Sequence, residues 1–168
     1  RITAVSPWVD HNGVFQVRFT PAAGVPLDAT VSWTVHQRLV ATRNAPLRQQ
    51  VERVLDGGAL GRVLQAPTTR PLGELGGLAI DIPVRSSRDV PDGLYLSQPG
   101  PYPVEIVLLS PDGPELWRRT VLLNRLPVPE DALGAGGAPL RARTTLLLPV
   151  DSAPALTVNG RGAFDPTT

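Results

Sequence analysis

The stretch from Tyr102 to Leu126, YPVEIVLLSPDGPELWRRTVLLNRL, decides the fold class of this chain. Runs rich in valine, isoleucine and leucine flank the turn sequence Ser110–Gly113, in which Pro111 stands second and glycine fourth, as a type I turn favours. Apolar residues recur at every second position on both sides of the turn, which is typical of strands with one buried face. The stretch therefore predicts an antiparallel β-hairpin.

The same period of two recurs upstream of the hairpin. Val14–Thr20 places two phenylalanines and a valine on one face, and Thr30–Leu39 places Trp33 between valines. Leu78–Val84 alternates in the same way. These segments predict further strands that bury one face.

Residues 44–56 do not show this alternation of apolar and polar residues, and they predict one short helix. Asn44 is the predicted N-cap, Pro46 stands in the first turn, and Gly57 with Gly58 supplies a left-handed stop. The apolar residues at helical spacing form one stripe, which predicts packing on the sheet: Leu47, Val51, Val54 and Leu55. The alternative is an exposed helix that binds a partner.

Short strands, one inserted helix and frequent turn signals predict an all-β fold, an immunoglobulin-like β-sandwich of about seven strands. Trp33 suits the buried tryptophan of the third strand in such sandwiches, and Tyr102, two residues before Val104, suits the tyrosine corner. Plain core positions explain both aromatic residues almost as well. Apolar packing would then stand in place of the inter-sheet disulfide.

The domain prediction has three parts. Residues 1–126 form the sandwich, and residues 127–139 are rich in proline and glycine and read as a linker. Residues 140–168 hold one more strand candidate, Leu140–Val150, and a weakly patterned tail that either belongs to this domain or begins the next.

Composition excludes several classes of site. The chain has 168 residues with no cysteine, so it holds no disulfide, thiolate nucleophile or cysteine-ligated metal. Its 16 basic residues, all arginine, balance 15 acidic ones to a net charge of +1, which argues against a nucleic-acid partner. The sequence shows no signal peptide and no apolar run of about 18 residues. Any targeting or membrane segment is expected elsewhere in a longer parent chain.

Catalytic motifs are also missing from the sequence. The two histidines, His11 in a turn and His36 on a strand, lack metal-ligand spacing and are interpreted as surface or edge residues. No serine stands in Gly-x-Ser-x-Gly. The carboxylates Asp81, Glu105 and Glu115 alternate outward, as on solvated faces. The prediction is a protein without catalytic residues, metal or cofactor.

Two surface features remain as candidates for ligand contact. Trp8 and Tyr95 are the aromatic residues expected to be exposed, and they are the candidate contacts for a sugar. A cluster of arginines suggests a basic patch, diluted by Glu52 and Asp56: Arg38, Arg43, Arg48 and Arg53.

The order of segments carries a resemblance, through Ile2–Pro7, Gly13–Phe19, Val31–His36, Leu55–Gly57, Gly100–Val104, Ser110–Gly113 and Pro139–Ala142. It resembles the extracytoplasmic region of large actinobacterial cell-envelope proteins of unknown function, often encoded beside the lipid II flippase. The resemblance implies an immunoglobulin-like domain in a membrane-anchored parent, with the membrane reached only through parts of the parent outside this chain. It also implies that Leu146–Val150 begins a following region, and it implies no catalytic residue.

The leading functional expectation is a non-catalytic structural or protein-contact module of an exported, membrane-anchored cell-envelope protein. Its partners would be other envelope proteins. The alternative is a carbohydrate-binding module appended to a cell-wall-acting enzyme, with cell-wall glycan as the partner. A third reading is an enzyme domain, which would need a pocket that the sequence does not predict, and loss of hydrolysis on changing His36 or Asp81 would identify it.

Overall fold

A computed structural model describes residues 7–21, 26–130 and 141–150 of the chain. Within these residues one α-helix, α1, spans Leu47–Leu55, and two short 3-10 helices span Leu72–Glu74 and Gly76–Leu78. The strands run in chain order as β1 Trp8–Val9, β2 Val14–Pro21, β3 Thr30–His36, β4 Val63–Pro71, β5 Ala79–Arg85, β6 Leu94–Tyr95, β7 Gly100–Leu109, β8 Glu115–Arg125 and β9 Arg143–Val150.

The strands form two sheets. One has five strands in the order β1-β8-β7-β3-β4, and the other has four in the order β6-β5-β2-β9. β7 pairs with β8 and with β3 in antiparallel register, whereas β1 lies parallel to β8 and β9 lies parallel to β2. The mixture of parallel and antiparallel pairs means that several neighbouring strands are far apart in the sequence.

The two sheets enclose one apolar core. Strand alternation directs Phe15 and Val17 of β2 inward from one sheet, and Trp33, Val104 and Ile106 inward from the other. All five side chains are buried in the same cluster, and burying a side chain of this size contributes ~1.5–3 kcal/mol. The predicted β-rich architecture is confirmed, with two sheets around one apolar core, and Trp33 is a core residue.

The hairpin that decides the fold class is confirmed. β7 and β8 are paired along nearly their whole length, with Val104 opposite Val121. In the turn the amide of Gly113 donates to the carbonyl of Ser110 at 2.9 Å, and Gly113 has a φ of 109°. Glycine adopts this left-handed conformation without the steric cost that a Cβ would add.

The predicted helix is confirmed between narrower bounds, and its predicted cap is wrong. Pro46, in an extended conformation, occupies the N-cap position, and no side chain caps the helix. The stop is as expected: Gly57 has a φ of 93°, and the amide of Gly58 donates to the carbonyl of Arg53 at 2.8 Å.

The helix packs on the outer face of the five-stranded sheet. Val54 is fully buried against Leu39 and Leu122, with the rest of the apolar stripe around them. Leu122 alternates with the inward-facing Leu123 along β8, so this second cluster lies on the opposite side of the sheet from the main core. The apolar stripe is therefore occupied, and the alternative of an exposed partner-binding face does not apply to it.

Strand β4 is the main element that the sequence did not reveal. Its residues are mostly exposed and do not alternate, because β4 is the last strand of its sheet. The pairing with β3 shifts register between Trp33 and Val35, opposite the stretch that contains Pro67. Proline cannot donate to a ladder and is tolerated at such irregular edge positions.

β9 belongs to the sandwich. Leu146, Leu148 and Val150 are buried in the main core, and β9 pairs with β2 over residues 143–150. The segment set apart in the sequence as an extra strand, and by the resemblance as the start of a following region, therefore completes the four-stranded sheet. The predicted strand at residues 2–6, the linker residues 131–139 and the tail from 151 onward lie outside the described residues.

Candidate functional site

The three outward carboxylates are engaged with polar partners. On the hairpin, Arg118 lies between two glutamates, bonded to Glu105 at 2.5 Å and to Glu115 at 2.8 Å. The hydrogen bond with Glu115 raises the pKa of Arg118, burial opposes this, and Glu105 adds to it. On the other sheet, Asp81 accepts from the amide of Gln16 at 3.0 Å. These carboxylates form surface networks on two separate sheets.

His36 differs from its sequence interpretation. It points away from the main core, as alternation predicts, yet only 7% of it is exposed. Its Nδ1 donates to the carbonyl of Gly61 at 3.0 Å, so the loop that follows α1 covers it. The surface interpretation is wrong because the segment between β3 and β4 folds over this face. Within the described residues no group of three histidine or acidic side chains is placed to hold a metal ion.

Trp8 is the first candidate contact. It is 59% exposed, whereas its neighbour Val9 is fully buried. Because side chains alternate across a strand, the indole points away from the core on the outer side of the five-stranded sheet. It lies beside Asn124 of β8.

Tyr95 is the second candidate contact, and it is half-buried. The guanidinium of Arg88 lies 4.4 Å from the centre of its ring, and that of Arg85 lies 5.9 Å from it. Both distances fit cation–π contacts. Tyr95 belongs to the four-stranded sheet and Trp8 to the outer side of the other, so the two do not form one flat aromatic platform.

The sequence reasoning missed Arg125, the last residue of β8. It continues the inward alternation of Val121 and Leu123, and it is only 1% exposed. Its Nε and Nη1 atoms have no hydrogen-bond partner among the described residues. Charged side chains are rarely buried in this way without a partner.

The surroundings of Arg125 add positive charge. Its register partner on β7 is Gly100, and a Cβ on Gly100 would lie 3.0 Å from Cδ of Arg38 and 3.6 Å from its Nη1. The stem of Arg38 therefore crosses the bare backbone directly beside Arg125. Burial lowers the pKa of Arg125, the nearby Tyr102 and Tyr95 oppose this, and Arg38 lowers it further.

Tyr102 is a buried side chain that borders Arg125 and is held in one position by a hydrogen bond. It is 4% exposed, and its hydroxyl donates to the carbonyl of Gln98 at 2.6 Å. Burial raises the pKa of the phenol, against smaller opposing effects from that bond and from Arg125 and Arg38. The side chain is thus held as a neutral donor to the backbone.

Arginines also hold the loops around the site. Arg85 donates to the carbonyls of Gly93 at 3.1 Å and Val90 at 3.0 Å. Arg141 donates to the carbonyl of Val84 at 2.9 Å and to that of Pro91 at 2.8 Å. The segment that leads to Tyr95 is fixed in this way to both β5 and the start of β9.

We call Arg38, Arg88, Arg125, Tyr95 and Tyr102 the arginine–tyrosine cluster. It offers guanidinium and phenol groups without a carboxylate or imidazole of its own, so its chemistry is that of binding negative charge. The one sequence signal for it is the arginine at an inward position of an otherwise apolar strand face.

The basic patch expected near the helix is not one surface. Arg38 turns to Gly100, Arg48 pairs with Glu52 at 3.7 Å, and Arg53 donates to the carbonyl of Ala59 at 3.1 Å. These three arginines therefore have separate local environments.

Comparison of the chain with protein-family models, with curated proteins and with solved structures finds no match. Among the described residues, no helix combines the length and the apolar character needed to cross a membrane. The fold and the cluster together define a two-sheet β-sandwich with a cationic, aromatic region beside its core.

Proposed function

We propose that this chain is an immunoglobulin-like module that acts as a non-catalytic structural or protein-contact domain of an exported, membrane-anchored cell-envelope protein. The strand order β1-β8-β7-β3-β4 supports the fold assignment, because variable-type immunoglobulin domains place their last two strands beside the third strand and its neighbour. β7 and β8 take those two places here, and β9 is an additional strand that follows them in the opposite sheet. In that scheme β2 and β5 are the central strands of the opposite sheet, as they are here.

The bond from Tyr102 to Gln98 supports the same assignment. A tyrosine corner stands near the start of the strand that carries the second cysteine of this fold, and its hydroxyl bonds the backbone a few residues upstream. Tyr102 stands in this way near the start of β7, which β8 and β9 follow in the chain. Val104, two residues later, takes the place of the second cysteine and is fully buried. Apolar burial would then replace the disulfide of this fold.

The observation that carries the contact function is the exposed indole of Trp8. A tryptophan that is 59% exposed loses much of the benefit of its large apolar surface. Aromatic residues are enriched at protein interfaces, where one such side chain can supply a large share of the binding energy. Trp8 lies on β1, the end strand of the five-stranded sheet among the described residues, and its exposed indole is where a partner can reach it. The envelope location rests on the resemblance of the segment order.

Site-specific photo-crosslinking tests this function. A photoreactive residue replaces Trp8 in the parent protein in its own cells, and a matched variant carries it at Leu147, which is similarly exposed, at 61%, on the other sheet. We expect a discrete crosslinked envelope protein from position 8 and none from position 147. Equal diffuse labelling at both positions would contradict a contact role for Trp8.

Two further measurements address the alternative and the location. Titration of the chain with peptidoglycan or arabinogalactan fragments, followed by tryptophan fluorescence, should remain flat. A saturable change that is lost in Trp8→Ala would favour the carbohydrate-binding alternative instead. Fractionation of cells that make the parent protein should place it in the envelope, and recovery from the cytosol would exclude the exported location.

A further inference from the structure

We propose that the arginine–tyrosine cluster is a binding site for an oxyanion, namely the carboxylate or phosphate group of a ligand. The site is centred on Arg125, with Arg38 as the second cation. This proposal does not depend on the contact function of Trp8, which lies on the other side of β8.

The first argument is the unpaired state of a buried charge. Arg125 is 1% exposed, and two of its three guanidinium nitrogens have no partner among the described residues. A buried ion is tolerated when it is paired with opposite charge and its hydrogen bonds are made. A buried polar group without a partner points to water or an ion at that place.

The second argument is the sign of the neighbouring charges. The described ion pairs bring carboxylates to Arg48, Arg118 and Arg143, and they bring none to the three arginines of the cluster. Arg38 instead lies close enough to lower the pKa of Arg125. Two like charges beside each other in a partly desolvated place repel, and a bound anion removes this repulsion. Water can complete the hydrogen bonds but cannot neutralise the charge.

The third argument concerns access and shape. Arg38 is half-buried, and its stem passes over Gly100, which has no side chain to fix the position of the stem. It donates to the carbonyl of Pro99 at 3.2 Å through Nη1, which leaves its other donors for a ligand. Arg88 is exposed and lies over the ring of Tyr95, a tyrosine close enough to Arg125 to raise its pKa. Movement of the Arg38 side chain would admit an oxyanion beside Arg125 without changing the strands.

The fixed groups around the site favour a defined position for the anion. The hydroxyl of Tyr102 donates its hydrogen bond to the carbonyl of Gln98. Tyr102 therefore borders the site but is not a ligand of the anion. A guanidinium presents several N–H groups in one plane, which match the oxygens of a carboxylate or phosphate. Arg125 is the last residue of β8 and is opposite Gly100 in the ladder, so its backbone is held in the sheet.

Nuclear magnetic resonance of the side chains tests the proposal directly. The full 168-residue chain is labelled with ¹⁵N-arginine, and the Nε–H signals are followed during titration with acetate or with inorganic phosphate at constant ionic strength set with chloride. The signal of Arg125 is assigned by its loss in Arg125→Met. We expect this signal to shift in a saturable way with at least one of the two anions, and the melting temperature to rise with the same midpoint.

Two variants serve as comparison. Arg38→Gln should weaken binding ~10-fold or more, since it removes a charged donor. Arg48→Gln, a change at an exposed arginine paired with Glu52, should leave the midpoint unchanged. If Arg125→Met does not fold, comparison of the binding midpoints of Arg38→Gln and Arg48→Gln still tests whether the anion binds at this site.

Comparison of acetate with phosphate distinguishes a carboxylate ligand from a phosphorylated ligand. Saturation with acetate alone indicates a carboxylate ligand, and saturation with phosphate alone indicates a phosphorylated one; either supports the site. A linear response to both anions, equal in the Arg38 and Arg48 variants, would show that water alone occupies the place and would overturn the proposal.

Discussion

The hydroxyl of Tyr102 donates to the carbonyl of Gln98 at 2.6 Å and ties the start of β7 to the segment before it. The same tyrosine is 4% exposed and lies beside the buried Arg125. One side chain therefore closes a backbone corner and borders the candidate anion site. Its position links the stability of the sandwich to the geometry of that site.

Tyr102→Phe should lower the free energy of unfolding by ~1–2 kcal/mol, because it leaves the carbonyl of Gln98 without its donor while keeping the ring. Urea unfolding followed by tryptophan fluorescence measures the change. Tyr95→Phe, at a half-buried tyrosine of the other sheet, should cost less. Equal losses for the two variants would contradict a special role of the corner.

Stability should fall as the pH rises above about 10, the ordinary pKa of a tyrosine. Burial raises the pKa of Tyr102 in the folded chain, so the folded state keeps a proton that the unfolded state has already lost. The free energy of unfolding then decreases with pH, whereas below that range the contribution is fully present. Urea unfolding from about pH 9 upward should show a flatter dependence in Tyr102→Phe than in the unmodified chain.

Gly100→Ala should destabilise the chain more than Gly113→Ala. Both glycines have positive φ, 128° and 109°, so both changes cost about 1 kcal/mol in backbone strain. At Gly100 the new Cβ would also lie 3.0 Å from Cδ of Arg38, whereas at Gly113 nothing lies within 4 Å. Thermal unfolding of the pair separates the two effects, and equal melting temperatures would show that Arg38 does not rest on Gly100.

Val54→Ala should lower the free energy of unfolding by ~1–3 kcal/mol, because Val54 is fully buried between α1 and the outer face of the sheet. Arg48→Ala, on the exposed side of the same helix, removes only a surface ion pair with Glu52 and should cost at most ~0.5 kcal/mol. Urea unfolding of both variants measures how firmly the helix is docked. Similar small losses would mean that α1 is not part of the cooperative unit.

Leu148→Ala should cost ~2–5 kcal/mol, and Leu147→Ala should be within ~0.5 kcal/mol of the unmodified chain. The two residues are neighbours on β9, but Leu148 is 2% exposed and Leu147 is 61% exposed. Chemical unfolding of the pair tests whether β9 belongs to the sandwich. A small loss of stability in Leu148→Ala would contradict this and would mean that residues 143–150 are not part of the sandwich.

Local patterns were sufficient for the elements with strong periodicity. The hairpin of β7 and β8, strands β2, β3 and β5, and the helix all carry apolar residues at the spacing of their own geometry. The position of Tyr102 before Val104 predicted a buried aromatic residue at the start of β7, and its hydroxyl bonds the carbonyl of Gln98. These features depend on residues close together in the chain, where propensity and alternation act directly.

The candidate site was not predictable in the same way. Arg125, Arg38 and Tyr95 lie on β8, after β3 and on β6, and no short motif joins them. The sequence groups Arg38 with the arginines of the helix, whereas in the structure its stem lies against Gly100 of β7. The prediction that His36 is a surface residue fails because alternation gives the direction of a side chain and not what covers it, and here the loop at Gly61 covers it.

The hairpin from Tyr102 to Leu126 thus determined, by itself, that this chain forms sheets, since a tight turn between two alternating runs needs only local hydrogen bonds and burial on one face. Only the tertiary structure decided that β9 lies parallel to β2 and that Arg125 is enclosed beside Arg38. Parallel pairing and the burial of a charge both depend on contacts between residues distant in the chain. Those contacts form when the two sheets close on each other, and no window of the sequence contains them.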